Sequence, residues 1–208
     1  MSDIMKSISI QNSEVIEVLE KFRTLWYDNI ELFQKSKHLN CVESKDKRDY
    51  YVGDNYKKEI MHMGPSHKGF PEVFYGYNLQ FGTERVPIQK EGLVESENNF
   101  YFTKKYREIN EELSLILGSH SNALCAVYPP GGYISWHNNA NATAYNVIFT
   151  WSENGDGYWK HVDPNTKEDV VVKDVPGWQC KSFYFGSYDE DDSNLVYHMA
   201  STDCWRMT

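Results

Sequence analysis

The stretch ALCAVYPPGGYISWHNN, residues 123–139, decides the fold class of this sequence. Two runs of apolar and aromatic residues, 123–128 and 133–137, flank a Pro-Pro-Gly-Gly turn, which is the pattern of two short β-strands. Six more strand-like runs follow between turn residues, at 144–151, 158–162, 169–172, 178–185, 195–200 and 204–208. Eight short strands at this spacing predict a β-sandwich or barrel.

The first half of the chain follows a different pattern. Apolar residues recur at helical spacing over residues 13–35, and a second helical segment covers residues 96–117, where Gly118 ends it. The segment between them, residues 36–95, is polar and rich in Tyr and Gly, so we expect irregular structure with short strands there. The chain is therefore predicted to be mainly β with flanking helices.

These patterns indicate a single domain over residues 1–208, because this length supplies one sizeable core and two would be cramped. Residues 1–117 are predicted to form a mainly helical and irregular support, and residues 118–208 the β core. The chain holds 6 Trp, 15 Tyr and 10 Phe, an aromatic content that is typical of a folded protein and excludes a disordered one.

The charge of the chain is acidic, with 21 Lys and Arg against 30 Asp and Glu and a formal net charge of −9. Nucleic acid is a disfavoured partner, because phosphate binding needs clustered cations. The apolar runs are too short for a membrane-spanning helix, and residues 1–11 lack the pattern of a signal peptide. Four cysteines without a CxxC pair predict reduced thiols and a cytoplasmic protein: Cys41, Cys125, Cys180 and Cys204.

Polar residues that suit ion binding lie on three of the predicted strands. His137 and Asn139 are two residues apart, so on a strand both side chains would leave the same face and could meet one ion. His198 lies in a later strand. Arg206 and Thr208 are again two residues apart, on the last strand. These positions form the candidate site.

This set of residues resembles the iron(II)- and 2-oxoglutarate-dependent dioxygenases of the prolyl-hydroxylase-like and AlkB-like kind. The core of those enzymes is a double-stranded β-helix, or jelly roll, with His-x-Asp/Glu on one strand and a distal His several strands later. By this resemblance, Fe(II) is a cofactor and its ligands are His137, Asn139 and His198. Three ligands on one face of Fe(II) leave three coordination positions open, which is why such sites suit oxygenase chemistry.

The resemblance also implies a small-molecule co-substrate, 2-oxoglutarate. Arg206 and Thr208 match an Arg-x-Ser/Thr pair that holds the far carboxylate of 2-oxoglutarate, and Tyr128 matches a tyrosine that contacts it. Arginine suits this role because its planar, permanently charged guanidinium binds a carboxylate through two hydrogen bonds. The implied activity is hydroxylation of an unidentified protein side chain or small molecule, coupled to conversion of 2-oxoglutarate to succinate.

Position 139 departs from the pattern of these dioxygenases, because it is Asn where they have Asp or Glu. An amide oxygen brings no negative charge, so we expect weaker Fe(II) affinity. Glu153 and Asp156 are nearby acids that could substitute for the carboxylate. The structural alternative is a turn, since Asn tolerates turn backbones and Asn138, Asn139 and Asn141 cluster here.

Two other functions stay open at this point. The chain could be a jelly-roll binding module or an inactive homologue that has lost the metal, which Asn139 favours and the presence of His198 and Arg206 opposes. A cupin with another metal ranks lower, because position 139 is not His. The other five histidines are interpreted as structural or surface residues: His38, His62, His67, His120 and His161.

Overall fold

The computed structural model describes residues 5–31, 47–79, 97–120, 122, 124–140, 142–189 and 194–208. Several sequence predictions fall outside these ranges: those for Cys41, His38, Asn141, residues 32–35 of the predicted first helix, residue 96, and residues 36–46 and 80–95 of the segment predicted to be irregular. The described part of that segment, residues 47–79, contains helices as well as the short strands that were predicted.

Four α-helices and a short 3₁₀ helix lie wholly within the described part of the chain. They are α1 (Ser13–Asp28), α2 (Arg48–Tyr51), α3 (Asp54–Met63), the 3₁₀ helix (Gly64–His67) and α4 (Glu97–Leu117). Helix α1 begins where the sequence predicts it, because the side-chain oxygen of Asn12 accepts a hydrogen bond from the N–H of Glu14 at 2.8 Å. Its buried face, which includes Phe22 and Trp26, packs against α4 and the larger sheet.

The strands of the described residues form two antiparallel sheets. The larger sheet runs, in spatial order, β1 (Lys6–Ile8), β9 (Gly177–Phe185), β6 (Ala144–Ser152), β11 (Arg206–Met207), β4 (Ala126–Tyr128) and β3 (Tyr77–Asn78). The smaller sheet runs β2 (Phe74–Tyr75), β5 (Tyr133–His137), β10 (His198–Thr202), β7 (Gly157–Val162) and β8 (Asp169–Lys173).

Strands β4 to β11 are shared equally between the two sheets. Strands β4, β6, β9 and β11 lie in the larger sheet, and β5, β7, β8 and β10 lie in the smaller one. This is the connectivity of a jelly roll, so the predicted fold class is confirmed. The N-terminal half contributes the edge strands β1, β2 and β3 as well as helices, and therefore extends both sheets.

Apolar side chains fill three layers, and the middle layer positions the candidate site. One layer lies between the helices and the larger sheet, and another packs α3 against the outer face of the smaller sheet around Trp136. The middle layer lies between the sheets, and we call its buried side chains the interior cluster: Met5, Ala126, Tyr128, Ile134, Trp159, Phe183, Phe185, Val196 and Ala200. Side chains that join this cluster lie inside the jelly roll.

The three cysteines within the described ranges carry free thiols, and all are buried: Cys125, Cys180 and Cys204. Burial raises the pKa of the Cys125 thiol to about 12, so it stays protonated at neutral pH. Of the helices that the structure describes, none has the length and apolar character needed to cross a membrane.

Candidate functional site

His137 and His198 are neighbours inside the jelly roll. They are opposite each other on the paired strands β5 and β10, and their ring centroids lie 4.1 Å apart. A shift in the strand register at this point lets His137 face the interior together with Ile134. Both imidazoles are buried, and His198 also contacts the ring of Phe185 at 4.7 Å between centroids. Sheet pairing therefore joins two residues that are far apart in sequence.

Both imidazoles are held in the same orientation by the backbone. Nδ1 of His137 lies 2.8 Å from the carbonyl oxygen of Ser135, and Nδ1 of His198 lies 2.9 Å from that of Val196. A carbonyl oxygen only accepts hydrogen bonds, so each Nδ1 carries the proton and each Nε2 keeps its lone pair. Histidines that bind metals are commonly fixed in this way, with one ring nitrogen bonded to a carbonyl.

The buried environment keeps both histidines neutral at physiological pH. The pKa of His137 is lowered to about 4, mainly by burial; the hydrogen bond to Ser135 opposes this shift and the neighbouring His67 adds to it. Burial also lowers the pKa of His198 well below its ordinary value, with smaller contributions from His137 and His161. Neutral imidazoles are the form that binds metal ions, so no proton has to be displaced at neutral pH.

The depressed pKa of His137 predicts a loss of stability in mild acid. The unfolded chain takes up a proton near the ordinary pKa of 6.5, whereas the folded protein does so only near 4. In this window the unfolded state binds more protons, so the free energy of unfolding should fall by up to about 1.4 kcal/mol per pH unit as pH decreases. Urea unfolding of the metal-free protein measures this slope. In the His137→Asn variant the free energy of unfolding should fall less steeply with decreasing pH. The same pH dependence in variant and wild type would mean that the lowered pKa of His137 is not the cause.

Asn139 lies in a turn directly after β5. The strand ends at His137, and Asn139 adopts φ 65°, a left-handed backbone that Asn tolerates. The prediction that both residues lie on one strand is therefore wrong, and the structure shows the turn that the sequence left as the alternative. The side-chain amide of Asn139 makes no hydrogen bond to any described residue and stays free for a ligand. Its role as a metal ligand stays a prediction.

A loop from the N-terminal half fixes this turn. The carbonyl oxygen of Gly69 accepts hydrogen bonds from the backbone N–H groups of Asn138, at 3.1 Å, and Asn139, at 2.7 Å. Gly69 has φ 72°, and a Cβ atom there would lie 2.2 Å from the backbone nitrogen of Ala140. Only glycine fits this contact, because of both its backbone conformation and the space.

No carboxylate of the described residues takes the place of the one missing at position 139. Among the described residues, no three His, Cys, Asp or Glu side chains are grouped so that they could hold a metal ion. Asp156 lies near Thr202, at the end of β10 opposite to His198, and the Glu153 carboxylate accepts a hydrogen bond from the N–H of Trp205. The two acids that the sequence suggested as substitutes are therefore placed away from the histidine pair.

Two histidines that the sequence interpretation treated as structural or surface residues lie close to the pair. His161 on β7 is opposite His198, so three histidines form a row across β5, β10 and β7. His161 is fully buried and stacks near Trp159 at 4.6 Å between ring centroids. The charge of a protonated His67 contributes to the lowered pKa of His137. Trp159 and His161 are two residues apart on β7, so their side chains share one face of the strand, and this spacing could have indicated from the sequence that His161 faces inward with Trp159.

Arg206, Tyr128 and Thr208 also meet inside the jelly roll. Arg206 on β11 is opposite Tyr128 on β4, and its guanidinium carbon lies 5.3 Å from the centre of the tyrosine ring. Its Nη1 donates a hydrogen bond to the hydroxyl of Thr208 at 2.6 Å. Burial raises the pKa of Tyr128 to about 12, so its hydroxyl stays a hydrogen-bond donor at neutral pH.

Asp174 is a partner of Arg206 that the sequence did not reveal. The Nε of Arg206 donates to the Asp174 carboxylate at 2.8 Å, and both side chains are almost completely buried, at 3% and 0% exposed. Asp174 also accepts a hydrogen bond from the side chain of Gln179 at 3.2 Å. The arginine therefore has a protein counter-ion and keeps other N–H groups for a ligand.

Comparison with known proteins finds a remote similarity to a solved structure. No protein-family model matches the sequence, and no curated protein matches it. Among solved structures, the chain is similar to the crystal structure of a Pseudomonas putida prolyl-4-hydroxylase, with 13% sequence identity and a TM-score of 0.39. The match covers 98% of this chain and 87% of the hydroxylase chain. Function has to be inferred from the residues of this chain.

Proposed function

We propose that this protein is a 2-oxoglutarate- and Fe(II)-dependent dioxygenase that hydroxylates a protein side chain or a small molecule. The observation that carries the proposal is the pair of buried, neutral imidazoles of His137 and His198, each with its Nε2 lone pair available. A buried arginine, Arg206, lies in the same jelly roll. Two histidines that can bind one metal ion, and an arginine in the same protein interior, suit a co-substrate that chelates the metal and ends in a carboxylate.

The residues present fit Fe(II) in part. His137 and His198 would hold the ion through Nε2, and Asn139 would supply an amide oxygen from the turn that follows β5. Bound iron would supply the redox chemistry that imidazole and amide side chains lack. The hydrogen bonds to Ser135 and Val196 keep the two rings oriented before the ion arrives.

The other functional groups of the interior have binding and shielding roles. Arg206 would pair with the far carboxylate of 2-oxoglutarate, and the Tyr128 and Thr208 hydroxyls would add hydrogen bonds. The aromatic rings of Trp159 and Phe185 lie beside His198 and would shield a metal ion bound there from water. The acidic net charge of −9 favours a protein or small-molecule substrate over nucleic acid.

Anaerobic titration of the purified protein with Fe(II) tests the proposal, with and without 2-oxoglutarate. We expect a weak charge-transfer absorbance band that appears only when both are present, and release of succinate when air is admitted. Fe(II) binding that is unaffected by 2-oxoglutarate would contradict the proposal, and so would a protein that binds neither.

Replacing Asn139 by Asp should strengthen the metal site. The substitution keeps the side-chain shape and restores the negative charge, so we expect Fe(II) affinity to rise by about tenfold or more, equivalent to about 1.4 kcal/mol. Isothermal titration under anaerobic conditions measures the dissociation constant. Asn165→Asp, in the exposed turn between β7 and β8, adds the same charge elsewhere and serves as the control. Equal affinities of the two variants would mean that Asn139 only closes the turn.

A binding module without a metal is the second candidate function. Two observations favour it: Asn139 lies in a left-handed turn, and no carboxylate replaces it among the described residues. In that case the jelly roll would bind an anionic small molecule at Arg206 but no Fe(II). Dicarboxylate binding that is independent of metal, with no succinate formed in air, would favour this function.

A further inference from the structure

Lys181 is a buried lysine whose side chain faces the inside of the jelly roll. It lies on β9 and is only 8% exposed. Side chains alternate along a strand, and Phe183, two residues further on, belongs to the interior cluster, so Lys181 shares its face. The neighbouring position, Cys180, pairs with Phe149, which packs on the opposite side against the helices.

No described residue forms a hydrogen bond or an ion pair with the Lys181 ammonium group. Other lysines of the smaller sheet region are paired, as when Lys57 and Lys160 each lie 2.7 Å from the Asp169 carboxylate. A largely buried lysine without a partner is costly, because its ammonium group loses much of its hydration and gains no compensating interaction. Lys181 therefore points to an interaction that the described residues do not provide.

The electrostatic neighbours of Lys181 are the ion pair described above. Burial lowers the pKa of Lys181, while the charge of Asp174 raises it and that of Arg206 lowers it. Arg206 and Asp174 form an ion pair, with Nε 2.8 Å from the carboxylate, so their charges cancel. With the charge of Lys181 added, the three side chains together carry one excess positive charge. An interior with more cations than anions favours an anionic ligand.

We propose that Lys181 is a ligand-binding residue which, together with Arg206, holds the remote carboxylate of a dicarboxylate inside the jelly roll. Asp174 is a positioning residue in this arrangement, since it fixes the guanidinium through Nε and leaves other N–H groups of Arg206 to the ligand. The identity of the dicarboxylate as 2-oxoglutarate rests on the proposed function. The carboxylate site itself rests on Lys181, Arg206 and Asp174.

The test is a comparison of Lys181→Met with the wild-type protein. Isothermal titration with glutarate, without metal, measures the carboxylate site alone, and 2-oxoglutarate with Fe(II) under anaerobic conditions measures the whole site. We expect Lys181→Met to bind both about 30-fold more weakly or worse, as for the loss of a charged hydrogen-bond partner. Affinity for 2-oxopentanoate, which lacks the remote carboxylate, should be unchanged. Lys173→Met, on the exposed side of β8, is the matched control and should behave as the wild type.

Thermal unfolding without ligand separates this role from a structural one. Because methionine has a similar length and no charge to bury, Lys181→Met should melt at a higher temperature than the wild type. A lower melting temperature, or unchanged glutarate and 2-oxoglutarate affinities, would overturn the inference.

The outcomes for Lys181 and for the proposed function are distinguishable. Glutarate binding that depends on Lys181, in a protein that binds no Fe(II), would support the inference and overturn the dioxygenase. Joint binding of Fe(II) and 2-oxoglutarate that is unaffected in Lys181→Met would support the dioxygenase and overturn the inference. A wild-type protein that binds no dicarboxylate would overturn both.

Discussion

The His198→Ala variant is expected to lose Fe(II) binding, with a dissociation constant raised by more than about 100-fold, since residues that only orient metal ligands already contribute 10- to 100-fold. His198 and His137 are the two imidazoles of the described residues whose Nδ1 is bonded to a backbone carbonyl so that Nε2 keeps its lone pair, and the third proposed ligand, Asn139, is neutral. His137 alone cannot hold the ion, because its partner at 4.1 Å would be replaced by a methyl group.

Anaerobic titration with Fe(II), followed by metal analysis after gel filtration, measures this effect. His62→Ala is the control, because His62 lies on the exposed face of α3 and removes an imidazole without changing the site. Thermal unfolding of the metal-free proteins shows whether His198→Ala keeps its fold. A folded His198→Ala protein that binds Fe(II) as tightly as the wild type would mean that the histidine pair is not the metal site.

The Asp174→Asn variant is expected to lose about 3–5 kcal/mol of the free energy of unfolding, the usual effect of removing one partner of a buried ion pair. The substitution keeps the size of the side chain but leaves Arg206 without a counter-ion at a position that is 3% exposed. It also removes the negative charge that favours the charged form of Lys181. The two cations would then repel each other in an interior that excludes water.

Urea unfolding measures this loss, and a second substitution identifies its cause. Adding Lys181→Met to Asp174→Asn removes one of the two like charges, so the double variant should recover part of the lost stability. Asp169→Asn is the control, because its ion pairs with Lys57 and Lys160 are partly exposed and should contribute only about 1 kcal/mol. Equal losses of unfolding free energy in Asp174→Asn and Asp169→Asn would mean that the buried ion pair of Asp174 is no more important for stability than the partly exposed pairs of Asp169.

The strands of the jelly roll could be predicted from local sequence because turn residues separate short runs of apolar and aromatic residues, even where a strand such as β5 is buried on both faces. Strand β5 has the predicted bounds of 133–137, and β7 and β9 begin one residue earlier than predicted. Strand β1, at Lys6–Ile8, was not predicted. All three of its residues are exposed, so its sequence has no apolar alternation, and only the pairing with β9 defines it.

The site could be predicted only where a short motif marks it. His137 and His198 were found by their places on strands, but their separation depends on which strands pair, which no local pattern specifies. Asp174 lies between β8 and β9, just before Val175 and Pro176, and reads as part of a turn. Its carboxylate reaches Arg206 only because the two sheets close over it.

Lys181 was missed for a related reason. The run 178–185 predicts a buried strand, but a lysine in such a run is ordinarily assigned to the solvent side. The side that Lys181 occupies is determined by its register with Ile148 on β6, which places it towards the interior. His161 was missed in the same way, because its importance comes from lying opposite His198.

The contact of Gly69 with the turn after β5 bears on how this protein could be divided or recombined. The carbonyl of Gly69 binds two consecutive backbone N–H groups of that turn, and its α-carbon lies too close to Ala140 for any side chain. A chimaera that joins residues 118–208 to a foreign N-terminal half would keep the sequence of the eight strands but lose the Gly69 carbonyl that accepts the hydrogen bonds of Asn138 and Asn139. The structural unit that carries the site is therefore the jelly roll together with the loop around Gly69. A substitution in one part of this contact requires a matching change in the other.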